Sequence, residues 1–233
     1  MKAFSNSPFL VYGLISIGIA LPIAAYLTNL SSSKKSKKIT NSLTVIADIG
    51  GTNSRFQLVE IDGTMEEPKV LFSKNYSTQS YESFHMVFHQ FLEDAKAYIG
   101  DRFPNNAVLA VAGPVKNNAV TPSNVKKWGE LNGNLLKNEF NLETCIFLND
   151  FEAIAYAVLK LQKKDLIQID ETAKALENEK ISILGPGTGL GYCSMVPAPY
   201  QTGWRYYIWG GEGGHAAFSP ITELQSLYML WLM

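Results

Sequence analysis

Four short stretches of this chain combine glycines, carboxylates and small hydroxyl residues at spacings that can do chemistry. The first is Val45-Ile46-Ala47-Asp48-Ile49-Gly50-Gly51-Thr52-Asn53-Ser54-Arg55-Phe56. An apolar strand reaches Asp48, turns through paired glycines and re-emerges through polar residues into a second strand. Glycines permit positive φ and close backbone approach, and successive N–H groups in such a turn line an anion-binding concavity. Asp48 could face the Mg2+ of a nucleotide, because that ion is usually held by one or two carboxylates together with phosphates. A plain hairpin turn is the competing reading.

The second stretch is Leu148-Asn149-Asp150-Phe151-Glu152-Ala153. Asn149 or Asp150 suits a helix N-cap, and Glu152 falls in the first turn, where the macrodipole favours it. The chemical alternative makes Asp150 the acceptor of a proton from an attacking hydroxyl and Asn149 a substrate contact, since phosphoryl transfer asks its base mainly for position. The third is Gly185-Pro186-Gly187-Thr188-Gly189-Leu190-Gly191, again after an apolar strand. Thr188 and its neighbours could cradle phosphates, or simply turn a hairpin between Ile183 and Cys193. The turn lacks the lysine of a P-loop. A dinucleotide fingerprint is disfavoured, because Tyr192 to Val196 reads as strand rather than helix. In the fourth, Gly210-Gly211-Glu212-Gly213-Gly214-His215, Glu212 and His215 sit on an open loop able to hydrogen-bond vicinal hydroxyls. His85 and His89 share a helix face without an acidic partner of metalloprotease type, and read as ordinary helix residues.

The elements that position these residues alternate. Leu43–Ile49, Ser54–Ile61 and Lys69–Tyr76 read as three strands of an antiparallel meander, with a hairpin turn at Asp62-Gly63-Thr64. Phe84, Val87, Phe88, Phe91, Leu92 and Ala95 form a helical stripe within Tyr81–Ile99. Ala107–Ala112 is an apolar strand closed by Gly113-Pro114. A helix over Glu130–Phe140, a strand Thr144–Leu148, a helix Phe151–Gln162 and a strand from Ile181 follow. The alternation predicts an α/β domain with a buried, partly parallel sheet.

With 46% hydrophobic and 18% charged residues the composition is that of a globular protein, and a net charge of −1 gives no reason to invoke nucleic acid. Cys145 and Cys193 lie in apolar runs and read as buried thiols of a reducing compartment. The N-terminal region differs from the rest. Residues 1–8 form a tail, Phe9 to Leu30 are almost wholly apolar, and 31–40 make a linker containing Lys34, Lys35, Lys37 and Lys38. Residues 9–30 are long enough for one transmembrane helix, and the lysines after them place the C-terminal bulk on the cytosolic side. A targeting segment for an organelle is the alternative.

The order of the four stretches, joined by Ala110-Val111-Ala112-Gly113-Pro114-Val115, resembles the bacterial-type glucokinase family, within the actin-like sugar kinase and heat-shock ATPase superfamily. The resemblance covers about Leu43 to Pro220. It implies an actin-like ATPase (ribonuclease H-like) domain over residues 41–233, with a complete small lobe over about 41–150 and a partial large lobe over about 151–233. It implies ATP-dependent phosphorylation of glucose to glucose 6-phosphate, with ATP and Mg2+ bound. Asp48, Gly50, Gly51, Thr52 and Asn53 would form the first phosphate and Mg2+ motif, and Gly187, Thr188 and Gly189 the second. Asp150 would deprotonate the sugar's 6-hydroxyl, with Asn149, Glu212 and His215 contacting the sugar. Ser123 and Asn124 fall in a further sugar-contacting loop. After Pro220 the family's later sugar-contacting glutamate and its glycine-rich adenosine motif are missing, so the resemblance implies a C-terminally truncated member. A membrane-tethered sugar-binding or regulatory protein without kinase activity is the alternative, and a homodimer is left open.

Overall fold

The computed structural model describes residues 12–14, 42–61, 68–159, 161–174, 176–186, 190–200, 203–211, 213 and 219–232. In chain order the strands begin with β1 (Tyr12–Leu14), β2 (Ser42–Ile49), β3 (Asn53–Ile61) and β4 (Lys69–Ser77), followed by helix α1 (Phe84–Ile99). Next come β5 (Asn106–Val111), β6 (Ala119–Val120), β7 (Leu131–Asn132), α2 (Gly133–Glu139), β8 (Thr144–Asn149) and α3 (Asp150–Val158). The chain continues through β9 (Leu166–Gln168), β10 (Ile181–Pro186), β11 (Leu190–Tyr200), β12 (Gly203–Gly211) and α4 (Glu223–Leu232). Two compact units divide between Asn178 and Glu179. Residue 150 opens α3, whose Ala153 and Tyr156 pack on the sheet of the first unit.

That sheet has the order β4-β3-β2-β5-β8. β2, β3 and β4 pair antiparallel, and β5 and β8 extend the sheet parallel to β2. β2 and β5 are covered on both faces, which is why they read as continuous apolar runs rather than alternating ones. Leu43, Val45, Ala47 and Ile49 of β2 enter one core with Ala107, Leu109 and Val111 of β5. The intervening Ile46, Val108 and Ala110 enter the other, beneath α3. The larger core closes on α1, which Ser83 caps by accepting from the Met86 N–H at 3.3 Å. Its centre is aromatic: the fully buried Phe56 ring lies 5.1 Å from Phe91, 6.2 Å from Phe88 and 5.8 Å edge-on from Tyr76.

The outer edge of β8 is covered by one side chain. Asn118 donates to the Cys145 carbonyl at 2.8 Å and accepts from the Phe147 N–H at 2.9 Å, as a neighbouring strand would. A Cβ on Gly133 would meet this amide at 2.4 Å, so only glycine allows α2 to start there. Cys145 is buried as expected, and burial pushes its thiol up to about 12, which keeps it neutral and unreactive. The second unit holds the antiparallel sheet β10-β11-β12. Ile183 pairs with Cys193, so the hairpin expected between them is present.

Several expectations are changed. The helix expected over 130–140 is a two-residue strand followed by the shorter α2, because Asn132 caps the helix through its side chain and so starts it at Gly133. The helix after Asp150 ends at Val158. Tyr12–Leu14, inside the expected membrane helix, are extended and pair antiparallel with Leu166–Gln168. The run contains Gly13, Gly18 and Pro22, which disfavour a helix, whereas a strand partner satisfies the backbone directly. Among the described residues no helix is long and apolar enough to cross a membrane. Residues 1–11, 15–41 and the turn Asp62-Gly63-Thr64 lie outside the described residues.

β4 and α1 are tied by a polar cluster on the first unit. Lys74 at 2.7 Å and Tyr76 at 2.6 Å donate to one oxygen of Asp94, and Gln90 donates to the other at 3.1 Å. The bonds from Lys74 and Tyr76 hold the Asp94 carboxyl below the usual carboxylate range. Burial, and then the bond to the same carboxylate, push the Tyr76 phenol up. A depressed carboxyl stabilises the fold fully above its unfolded value, about 3.9, and that part is lost as pH falls through the lower folded value. Denaturant midpoints should therefore show Asp94→Asn less stable than wild type at neutral pH, with the gap closing below about pH 3.9. A gap of constant size down to acid would contradict this. In the core, Phe56→Ala should cost about 3–5 kcal/mol of unfolding free energy by chemical denaturation, and a loss under 1 kcal/mol, roughly the range of exposed positions, would contradict the central packing of this ring.

Candidate active site

Parallel pairing sets the frame of the site. Ile49 of β2 is in register with Val111 of β5, and Val111 with Asn149 of β8. Three strands therefore end side by side, and their next residues leave the sheet together, where ligands bind in open α/β sheets. These residues are the Gly50-Gly51-Thr52 turn, the loop from Ala112 to Asn124, and the start of α3.

The Gly50-Gly51-Thr52 turn is held from one side. The Gly50 N–H donates to the Asn53 carbonyl at 3.0 Å. The Gly50 carbonyl accepts from Thr78 Oγ1 at 2.9 Å, the Gly51 carbonyl from Gln79 Nε2 at 2.7 Å, and the Thr52 carbonyl from the Thr78 N–H at 2.9 Å. In trans peptides N–H and C=O point oppositely, so the N–H groups of Gly51 and Thr52 turn away from this clamp. Thr52 and Asn53 are exposed. Donors on one exposed side of a rigid turn fit an anionic phosphate. Asp48 forms an ion pair with Arg55 at 3.0 Å across the β2–β3 ladder. A cation at Asp48 must therefore compete with Arg55. Among the described residues no group of three His, Cys, Asp or Glu could hold a metal ion.

The neighbouring loop packs directly on the turn. A Cβ on Gly51 would lie 2.9 Å from Asn124 Cβ, so the second glycine is required by this contact. Ser123 donates to the Ala112 carbonyl through its N–H at 3.0 Å and its hydroxyl at 3.1 Å. Gly113, at φ 137, tucks its backbone under Thr121 and Val120. Asn149 then ties the loop to α3. Its Nδ2 donates to the Gly113 carbonyl at 3.1 Å, and its Oδ1 caps the helix by accepting from Phe151 N at 3.0 Å and Glu152 N at 3.3 Å. The capping reading of Asn149 is thus realised, and one amide hydrogen remains for a ligand. Asp150, partly buried, opens the helix, and its Oδ1 accepts from the Phe151 N–H at 2.9 Å.

Of the residues expected from sequence, the first unit brings together Asp48, Gly50, Gly51, Thr52, Asn53, Ser123, Asn124, Asn149 and Asp150 through this chain of contacts. Gly187, Thr188, Gly189, Glu212 and His215 lie outside the described residues. Their flanks are described: Pro186 and Leu190 pair at the end of the β10–β11 hairpin, and Gly211 stacks closely on Tyr192. Thr78, Gln79, Arg55 and Gly113 were not among the expected residues. Thr78 and Gln79 belong to no motif and follow an exposed strand, so only the fold brings them to the turn. Arg55 stood in the opening stretch, seven residues from Asp48, the offset at which a tight hairpin sets partners opposite.

Comparison with known proteins bears on this geometry. A family model described as Glucokinase matches residues 45–233. A glucokinase of a Caulobacter species is 36% identical over 195 residues, covering 81% of this chain and 54% of that protein. The crystal structure of a glucokinase from an Antarctic psychrotroph superposes with a TM-score of 0.64 at 28% identity, covering 82% of this chain and 56% of that one. A glucokinase from Balamuthia mandrillaris, solved in complex with glucose, shares the fold at a TM-score of 0.54 and 17% identity, covering 93% of this chain and 59% of that one. The chain spans about half the length of the curated relatives it matches. Because the family model matches residues 45–233, well over half of the chain, the chain belongs to the glucokinase family.

Proposed function

We propose that this chain carries the first phosphate site and the catalytic base of an ATP-dependent glucokinase, which phosphorylates glucose at its 6-hydroxyl. What supports this is the register of Ile49, Val111 and Asn149, which sets a phosphate-binding turn, a polar loop and a carboxylate at one end of one sheet. The N–H groups of Gly51 and Thr52 would hold the nucleotide's phosphates, and ATP supplies the phosphoryl group when bound. A Mg2+ ion accompanying it would draw on Asp48 in exchange for Arg55.

The residues of the chain divide the remaining work. Ser123, Asn124 and the free amide hydrogen of Asn149 orient sugar hydroxyls. Glu212 and His215 belong to the same task by their place in the family motif. Asp150 accepts the proton of the 6-hydroxyl as that oxygen attacks, a role that needs position more than basicity. Its placement at the first turn of α3 suits this, since the helix N-terminus favours the ionised carboxylate that a base requires. Backbone donors fixed before the reaction stabilise charge on a transferring group without reorganising.

Glucose 6-phosphate formation should be detectable with the wild-type chain. Asp150→Asn keeps the Oδ1 acceptor of the Phe151 N–H and should lower kcat by about 10²–10⁴-fold, with glucose affinity by calorimetry little changed. An unchanged kcat would remove Asp150 from the role of base. Glucose binding without turnover in the wild type would favour the binding-protein alternative.

A further inference from the structure

Beneath the phosphate turn lies a buried relay of hydroxyl groups. Ser54 and Thr78 are both fully buried, two of only three buried polar residues among the described ones, and their oxygens are 2.8 Å apart. Thr78 Oγ1 also lies 2.9 Å from the Gly50 carbonyl, which can only accept. A hydroxyl has one proton, so Thr78 donates to Gly50 and Ser54 donates to Thr78. The Thr78 N–H meanwhile takes the Thr52 carbonyl, and the adjoining Gln79 takes that of Gly51. Three consecutive carbonyls of the turn are thus engaged by two adjacent residues. The same short segment is held in turn from behind: Lys127 donates to the Gln79 carbonyl at 3.0 Å, and Trp128 Nε1 to the Tyr81 carbonyl at 3.0 Å.

We propose that Thr78 is a positioning residue for the phosphoryl donor: its hydroxyl fixes the Gly50 carbonyl on the inner side and so aims the Gly51 N–H, which shares that peptide plane, outward at the phosphates, as Gln79 does for the Thr52 N–H through the Gly51 carbonyl. Thr78 itself touches no substrate. It acts on the orientation of peptide planes, and in a glycine turn these planes have little other restraint. Donors held in advance bind an anion more tightly than donors that must be ordered on binding. Ser54 supports the relay but leaves the bond from Thr78 to Gly50 intact when removed. The two hydroxyls therefore have separable effects. This inference rests on the kinase reading above.

The test follows the amide signals of Gly51 and Thr52 by NMR while the full chain is titrated with ATP and Mg2+, with glucose titrated separately and thermal stability recorded. Thr78→Val, which keeps shape and removes the hydroxyl, should shift the Gly51 amide without ligand more than the Thr52 amide, whose plane Gln79 still holds, and weaken ATP binding about tenfold. Glucose affinity should change by less than about twofold, since no sugar-contacting group is altered. Thr78→Ser should restore ATP affinity. Ser54→Ala should lower stability while keeping ATP affinity. Wild-type ATP affinity in Thr78→Val, or equal losses for ATP and glucose, would overturn the proposal and leave the kinase reading standing. No response of the wild-type amides to ATP would instead refute the kinase reading and take the proposal with it.

Discussion

A parallel strand bonded on both sides fixes where three parts of the chain leave the sheet. β5 lies between β2 and β8, and both ladders are in register at Val111. Its side chains fill the core above and below, so a slip of one residue would exchange Leu109 and Val111 with Val108 and Ala110 between two differently shaped cores. The larger core holds the aromatic cluster around Phe56, which no small residue could replace without a cavity. Packing therefore locks register, and register places the turn after Ile49, the loop after Val111 and Asp150 at one edge.

Within that frame, short-range contacts finish the site. Gly51 meets Asn124, Gly113 meets Thr121, and Asn149 spans from the Gly113 carbonyl to the N-terminus of α3. The first two are close backbone approaches, and the bonds of Asn149 satisfy backbone groups that would otherwise be stranded as the chain leaves the sheet. The same amide of Asn149 caps a helix and anchors the loop, so structural and functional readings of this residue are not rivals. A residue used to hold the site rigid can also present a remaining hydrogen to a ligand.

The second unit carries exposed apolar side chains. Trp204, Trp209, Leu224 and Trp231 are all more than half exposed on β12 and α4. Its sheet has a small buried set around Ile183, Cys193 and Met195, while the first unit encloses two cores. The difference is one of area: a three-stranded sheet buries one face only when something packs on it.

Much of the fold was legible because period and punctuation are local. The apolar runs Leu43–Ile49 and Ala107–Ala112, the stripe from Phe84 to Ala95, and the turn at Gly50-Gly51 each carried their own signal, and Asn149-Asp150 announced a helix start. The starts and ends of α2 and α3 were less clear, since a cap such as Asn132 overrides propensity by a single side-chain bond. Tyr12–Leu14 misled because hydropathy measures transfer from water and not the partner that receives the strand. Sequence alone therefore determined the ordered motifs and with them the family. Tertiary structure alone decided that Arg55 neutralises Asp48, that Asn118 closes the edge of β8, and that Thr78 and Gln79 hold the carbonyls of the Gly50-Gly51-Thr52 turn. Those bonds join residues on different elements, up to 29 positions apart, and only the register of the sheet brings their atoms within reach.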